Sequence, residues 1–241
     1  KEFSNKNLKS YFWWEEKADR QDQSLNEAKK FLRQPRSEKD VYEAYMIFKK
    51  KLSIDRNNFE LKFLTAESIL AFLRIKTNGN TLRADESSSD SIENRKLWKK
   101  HAPEAMKLLK DIKNNENIDK PLHAFLYAEA FMYNSCSKGI IKAALSGDAI
   151  HFKKNVEPLI KEYQNYGSCV GHTFMGAFYL EAPWPIHNSN KAKHHFMRAV
   201  NLHPMSRRNQ YNCGIQAMRS GNYEEAENRF LNAIKSKCDS V

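Results

Sequence analysis

The sequence SNKAKHHFMRAVNLHP at residues 189–204 is matched 34 residues later by YEEAENRFLNAIK at residues 223–235. In each stretch an alanine is followed four residues on by a phenylalanine and three residues further by a second alanine. Residues at this spacing share one face of an α-helix. Small residues on that face let a second helix come close, and the phenylalanine fills the remaining gap. The six residues are Ala192, Phe196, Ala199, Ala226, Phe230 and Ala233.

The residues around these two helices complete a repeat of 34 residues. Pro204 closes the first unit, Gly214 and Ala217 precede the second phenylalanine at helical spacing, and Gly221 and Tyr223 lie in the turn. A helix pair with this period is the tetratricopeptide (TPR) unit. The repeat therefore predicts an all-α fold, with antiparallel helix pairs in a degenerate TPR-like solenoid of about 10–11 helices.

The rest of the chain favours helices without a perfect repeat. Gly (8) and Pro (7) are scarce, which disfavours the many turns of a sandwich or barrel. Gly176 and Tyr179 keep the spacing of a first TPR helix, but the turn at 181–188 is longer than a standard TPR turn, and residues 139–166 fit no TPR register. Helical periodicity predicts helices at 7–32, 38–53, 59–75, 92–114, 121–137, 139–146, 148–166, 168–181, 189–203, 206–220 and 222–236.

The domain organisation follows from these boundaries. We predict an N-terminal capping helix or extension at residues 1–36 and a TPR-like helical-repeat domain at 37–241, opened by Ser37 with an acidic residue three positions on, the pattern of a capping box. The polar, aperiodic stretch 77–91 predicts a mobile loop. The aromatic run Tyr11–Trp14 predicts a cap docked on the body or an exposed anchor for a partner or a membrane surface, and the acidic residues after it favour the cap.

Composition limits the compartment and the partners. No stretch approaches the length of apolar residues that crosses a bilayer. The four cysteines are far apart and form no C-x-x-C pair, so we expect reduced thiols in an intracellular compartment, with an organelle entered after loss of a targeting segment as an open alternative. The net charge of +11 is spread evenly along the chain. It favours an acidic partner, or reflects only a Lys- and Asn-rich composition.

Beyond the repeat, the chain resembles a small TPR-like superfamily over residues 38–236. Its members include the T-component associated with bacterial TRAP transporters and the regulator of microtubule dynamics proteins of eukaryotes. The residues that carry the resemblance are Trp98, Ala105, His123, Ala128, Ser137-Lys138-Gly139-Ile140, Gly147, Gly176-Ala177-Phe178-Tyr179 and Ala182-Pro183-Trp184-Pro185.

The resemblance implies an all-helical solenoid, curved or closed around a groove or pore, without catalytic activity. It does not imply one function, because the superfamily includes a transport accessory and a cytoskeleton-associated protein. The sequence has no lipobox cysteine at its start, which departs from the bacterial branch. The stretch 77–91 and the aromatic N-terminus also lie outside the shared pattern.

No constellation of residues predicts an enzyme, a metal site or a cofactor. His194 and His195 are adjacent, and neighbouring residues on a helix point about 100° apart, so they are poorly placed to chelate one ion. Cys169 and His172 are three residues apart, a spacing that places two side chains on one helix face, but no third group that would orient them can be named. Phosphate-binding glycine loops and nucleophile elbows are absent from the sequence.

The predicted binding surface is the concave face of the last repeat. In TPR folds the first helix of each pair lines this face, and here it combines two arginines, an aromatic ring and an amide. That combination suits an acidic peptide or a carboxylate, unless another part of the chain covers the face. The predicted groove residues are Arg208, Tyr211, Asn212, Ile215, Met218 and Arg219.

A second feature is the turn around Trp184, where two prolines fix the backbone on either side of a large aromatic side chain. Trp184 is predicted either to plug a gap between repeats or to form the rim of a ligand entrance. The leading functional hypothesis is a non-catalytic scaffold or adaptor that binds a protein or acidic peptide. The alternative is a helical receptor for a small apolar or amphipathic ligand. Nucleic-acid binding is the weakest, because only the net charge favours it.

Overall fold

The computed structural model describes residues 24–33, 37–79, 82–83 and 90–236. Over these ranges the regular secondary structure is helical and contains no β-strand, as the sequence predicts. The predicted helix 7–32 is described only as α1, residues 24–31. The other helices are α2 Glu38–Ile54, α3 Phe59–Thr77, α4 Ile92–Ile112, α5 Lys120–Cys136, α6 Ile140–Leu145, α7 Asp148–Lys161, α8 Val170–Glu181, α9 Ser189–Leu202, α10 Arg207–Arg219 and α11 Tyr223–Lys235.

The helices pack in the order of the chain. From α2 to α5 and from α7 to α11 each helix contacts the one after it, while the short α6 lies against α5 and α7. Contacts also join α3 to α5 and α8 to α10, the pattern of a stacked array. One apolar core runs from α1 to α8, and a second joins α8, α9 and α10. These contacts confirm the predicted all-α array of neighbouring helices.

The repeat is visible as two glycine–phenylalanine contacts. A Cβ atom added to Gly176 on α8 would overlap the ring of Phe196 on α9, and one added to Gly214 on α10 would lie 2.7 Å from the ring of Phe230 on α11. In both pairs the glycine lets the helices approach until the aromatic ring fills the gap. The small-residue pattern of the sequence therefore sets the spacing of the last two helix pairs.

Side chains define where the helices begin. The predicted capping box is present, because Ser37 Oγ accepts a hydrogen bond from the backbone N–H of Asp40 while the Asp40 carboxylate accepts from the N–H of Ser37. The same role at later helices falls to Asn58, Ser91, Asp119, Asn188, Ser206 and Asn222. Among α2 to α11, the helices α6, α7 and α8 start without a side-chain cap. No helix in the described ranges is both long enough and apolar enough to cross a membrane.

Several predictions concern segments that lie partly outside the described residues. The aromatic run Tyr11–Trp14 and residues 80–81 and 84–89 of the predicted loop lie outside them. Ala28 and Leu32 of the N-terminal segment pack into the main core. Within the described ranges Cys136, Cys169 and Cys213 are free thiols.

Candidate functional site

An apolar cavity of about 170 Å³ lies between α5, α6, α7 and α8. Residues Gly79 and Leu82, which follow α3, and the turn after α8 complete its wall. The cavity is partly open to solvent, which gives a ligand access to it. Most of the residues around it are apolar: Leu82, Trp98, Met132, Ile140, Ala143, Ala144, Ala149, Phe152, Phe174, Ala177, Phe178, Ala182, Pro183 and Ile186.

Small side chains on three helices create the space. Ala143 and Ala144 on α6, Ala149 on α7 and Ala177 on α8 all face the cavity. A larger apolar residue at any of these positions would fill part of the volume. The alanine side chain has no rotamer that could extend into the gap, so these residues leave the cavity open.

Aromatic rings form a second part of the cavity wall. The rings of Phe152 and Phe178 stack with centroids 5.4 Å apart, and Phe152 also lies 6.3 Å from Phe174. Trp98 and Tyr133 form a second ring pair, with centroids 5.6 Å apart. Rings held by neighbouring rings keep one orientation, so this wall is rigid and offers an apolar ligand a preformed surface.

The polar groups of the cavity are neutral or paired. Burial works to raise the pKa of Asp148, but hydrogen bonds from Lys138 and Ser135 outweigh it, so the pKa is lowered and the carboxylate stays ionised. Lys138 Nζ lies 3.0 Å from Asp148 Oδ2, and Arg219 Nη1 lies 2.8 Å from Glu181 Oε1. Both pairs lie at the edge of an otherwise apolar site, where a polar end group of an amphipathic ligand could reach them.

Cys136 also faces the cavity. Burial raises the pKa of its thiol to about 12, so it carries no thiolate at neutral pH. The thiolate is the nucleophilic form of cysteine. Cys136 is therefore an apolar contact for a ligand in the cavity, and its sulfur atom is not a nucleophile at neutral pH.

Helix α6, which forms one wall of the cavity, lies between two glycines. Gly139 and Gly147 adopt φ angles of 92° and 80°, which a residue with a Cβ rarely adopts. At the start of α6 the Asp90 carboxylate accepts a hydrogen bond from the N–H of Ile140 at 3.2 Å, and it also pairs with Arg95 at 2.6 Å. The end of the loop after α3 is thereby tied to the wall of the cavity.

The structure brings the predicted groove residues together on α10, where the chain itself covers them in part. Tyr211 donates a hydrogen bond to the carbonyl of Leu82 at 2.9 Å. Arg219 donates to the carbonyl of Arg83 at 2.8 Å, in addition to its pair with Glu181. Residues 82–83 therefore contact the part of α10 that the sequence predicts to line the groove.

The other groove residues also have internal contacts. Arg208 donates a hydrogen bond to the carbonyl of Gly167, Asn212 and Ile215 are buried, and Met218 packs against the second core. Binding of an acidic peptide at this face stays a prediction. It would require residues 82–83 to move away from α10.

Trp184 is the most exposed of the large apolar side chains in the described residues, at 88%. It does not plug a gap between repeats, so that alternative is wrong. Its neighbours Ala182, Pro183 and Ile186 line the cavity. Trp184 therefore stands beside the cavity with its ring in solvent, as expected of a residue on a rim.

The histidines form a contact that the sequence did not predict. His172 Nδ1 on α8 lies 3.0 Å from His195 Nδ1 on α9, and the His195 ring stacks on Tyr179. Burial lowers the pKa of both imidazoles, with that of His195 falling to about 4. Cys169 precedes α8 in a left-handed conformation, and burial raises its pKa. Groups of three or more potential metal ligands do not occur in the described part of the chain.

The histidine pair predicts a loss of stability in mild acid. The unfolded chain binds a proton on these imidazoles near pH 6.5, whereas the folded protein takes one on His195 only at about pH 4. The contribution of the neutral imidazoles to the free energy of unfolding is therefore complete above pH 6.5, and it is lost as the pH falls towards 4. We expect wild type to lose more stability than His195→Gln over this range, by about 1–2 kcal/mol because solvent partly screens the partly exposed ring. Urea unfolding at pH 7 and pH 4.5 measures the difference, and equal losses would contradict it.

The alanines of α6 and α7 were missed as site residues. They fall in the stretch 139–166, which fits no TPR register, and the two positive-φ glycines that bracket α6 were the available signal.

Comparison with protein-family models gives no match to this chain, and comparison with curated proteins gives none either. Fold and site together define the class: an all-α helical-repeat protein with an apolar internal cavity.

Proposed function

We propose that the protein is a non-catalytic receptor for a small apolar or amphipathic ligand, held in the cavity between α5 and α8. The observation that carries the proposal is the apolar lining of a preformed space of about 170 Å³. Apolar cavities of roughly 150 Å³ accept small apolar molecules. Burial of such a ligand is driven by the hydrophobic effect and needs no charged contact.

The resemblance found in the sequence supports the same site. Six of the residues that carry it line the cavity: Trp98, Ile140, Ala177, Phe178, Ala182 and Pro183. A superfamily whose members curve or close around a groove or pore would place a ligand at this position. The polar end of an amphipathic ligand would lie at the edge, near the pairs Lys138–Asp148 and Glu181–Arg219.

A cavity-filling substitution tests the proposal. Ala144→Phe adds a ring to the α6 wall, and we expect it to weaken binding of the fluorescent probe 1-anilinonaphthalene-8-sulfonate at least about tenfold, because each 1.4 kcal/mol of lost contact is a factor of ten in affinity. The matched control is Leu145→Phe, which places a ring on the neighbouring residue, 83% exposed. It should bind the probe as wild type does. Equal probe affinity in all three proteins would contradict the proposal.

An adaptor that binds a protein partner is the second candidate, and one observation favours it. The outer face of α11 exposes Tyr223, Leu231 and Ile234, which line a shallow depression with Met218 and Phe230. Exposed apolar side chains grouped on one helix face suit contact with a protein partner. The Ile234→Asp variant should not capture a partner that wild-type protein captures specifically. Its binding of the probe in the cavity should be unchanged.

A further inference from the structure

Four exposed apolar side chains are the immediate sequence neighbours of residues that line the cavity. Each directly follows a residue that lines the cavity: Ile141 follows Ile140, Leu145 follows Ala144, Ile150 follows Ala149, and Trp184 follows Pro183. The exposed fractions are 68%, 83%, 73% and 88% for Ile141, Leu145, Ile150 and Trp184. We call these four residues the apolar rim.

The apolar rim belongs to two local segments, on α6–α7 and on the turn after α8. Ile141 and Leu145 are four residues apart on α6, so they share one face of that helix. The neighbouring positions 140, 143 and 144 point to the cavity. One short helix thus has a face towards the cavity and an apolar face towards solvent.

The charge around the apolar rim is basic. Residues 138–154 contain four lysines and a single acidic residue, Asp148, whose carboxylate is already paired with Lys138. Residues 182–193, which contain Trp184, have two lysines and no acidic residue, but Lys193 is paired with Glu225 on α11 and Glu181 directly precedes this stretch. The lysines are exposed at positions 138, 142, 153, 154, 191 and 193. Exposed apolar residues among lysines match a surface that is negatively charged outside and apolar beneath.

We propose that the apolar rim docks the protein on an anionic phospholipid bilayer, so that the cavity faces the membrane from which its ligand enters. Tryptophan is enriched at the level of the lipid headgroups, and isoleucine and leucine insert just below them. The lysines contact the anionic headgroups. This inference rests on the proposed receptor function, because it names the source of the ligand, and it adds a partner surface that the cavity alone does not require.

A protein that docks in this way keeps its fold unchanged. The rim side chains are already in solvent, so burying them in the interface removes apolar surface from water without unpacking the core. Attraction to the headgroups is screened by salt, so binding should weaken as the ionic strength rises. Both properties distinguish docking from insertion of an unfolded chain.

Vesicle flotation tests the docking surface. Wild-type protein should float with vesicles of equal parts phosphatidylcholine and phosphatidylserine and stay largely unbound with phosphatidylcholine alone. Leu145→Ser and Trp184→Ser should each lower the floated fraction at least about fivefold, since each removes one of four apolar contacts. The matched control is Ile54→Ser, because Ile54 is 76% exposed at the end of α2 and does not line the cavity. It should float as wild type does.

Three outcomes would overturn the proposal. Wild-type protein that does not float with anionic vesicles has no such surface. Rim variants that float like wild type would assign membrane binding to another segment, such as Tyr11–Trp14. An equal loss in Ile54→Ser would show non-specific adhesion. Thermal melts of each variant exclude unfolding, and probe binding on the same samples keeps this result separate from the cavity: a protein that binds the probe and does not float loses only the docking inference.

Discussion

Replacing Glu129 with alanine is expected to lower the free energy of unfolding by about 3–5 kcal/mol, because it leaves a buried cation without its counter-charge. Glu129 on α5 is fully buried, and Arg74 Nε on α3 lies 3.0 Å from its Oε1 atom. The Arg74 guanidinium also lies 5.4 Å from the centre of the Phe125 ring. Urea unfolding monitored by circular dichroism measures the loss.

Two further variants distinguish the effect of breaking the ion pair from the effect of general damage to the core. Arg74→Met combined with Glu129→Leu removes both charges, and we expect this double variant to be close to wild type in stability or above it. Glu157→Ala breaks the exposed pair with Lys161 and should have no measurable effect. A double variant as unstable as Glu129→Ala would show that shape, and not the uncompensated charge, accounts for the loss.

Phe196→Ala is expected to destabilise the protein by about 3–5 kcal/mol, the usual cost of deleting a buried phenylalanine ring. The Phe196 ring is fully buried on α9 and occupies the space left by Gly176 on α8. The equivalent Phe230 on α11 is only partly buried. Phe230→Ala should therefore cost less than Phe196→Ala in the same unfolding measurement, and the reverse order would contradict the packing described here.

The glycine side of the same contact gives a reciprocal test. Gly176→Ala places a methyl group into the Phe196 ring and should cost about 1–3 kcal/mol, as overpacking usually does. Combining it with Phe196→Leu should cost less than the sum of the two single changes, because the smaller side chain makes room. Strict additivity would mean that the two residues are not in contact.

The helices and the repeat could be predicted from the sequence because their signals are local. The capping box at Ser37 and the Ala–Phe–Ala pattern each act over a few residues, and the observed helices follow them closely. The helix predicted over 148–166 is the main exception, since α7 ends at Lys161. The turn after it contains Gly167, Ser168 and Cys169 with positive φ angles, which helical periodicity does not reveal.

The candidate site could not be predicted, because it depends on contacts between distant parts of the chain. The cavity needs Gly79, Trp98, Ala144 and Phe178 to meet, and no short pattern relates them. The predicted groove residues lie on α10, and their role in binding stays a prediction, because the sequence does not show that residues 82–83 contact Tyr211 and Arg219. The exposure of Trp184 depends in the same way on packing that no local pattern defines.

Native mass spectrometry of the purified protein, with denaturing spectra alongside, tests the central claim that the cavity holds a ligand. For wild type we expect a bound species with an extra mass of about a few hundred daltons, lost on denaturation, since unfolding removes the apolar wall that holds the ligand. Ala144→Phe should have only the mass of the chain, and Leu145→Phe should retain the bound species. A clean chain mass for wild type, unchanged after incubation with 1-anilinonaphthalene-8-sulfonate, would contradict the claim.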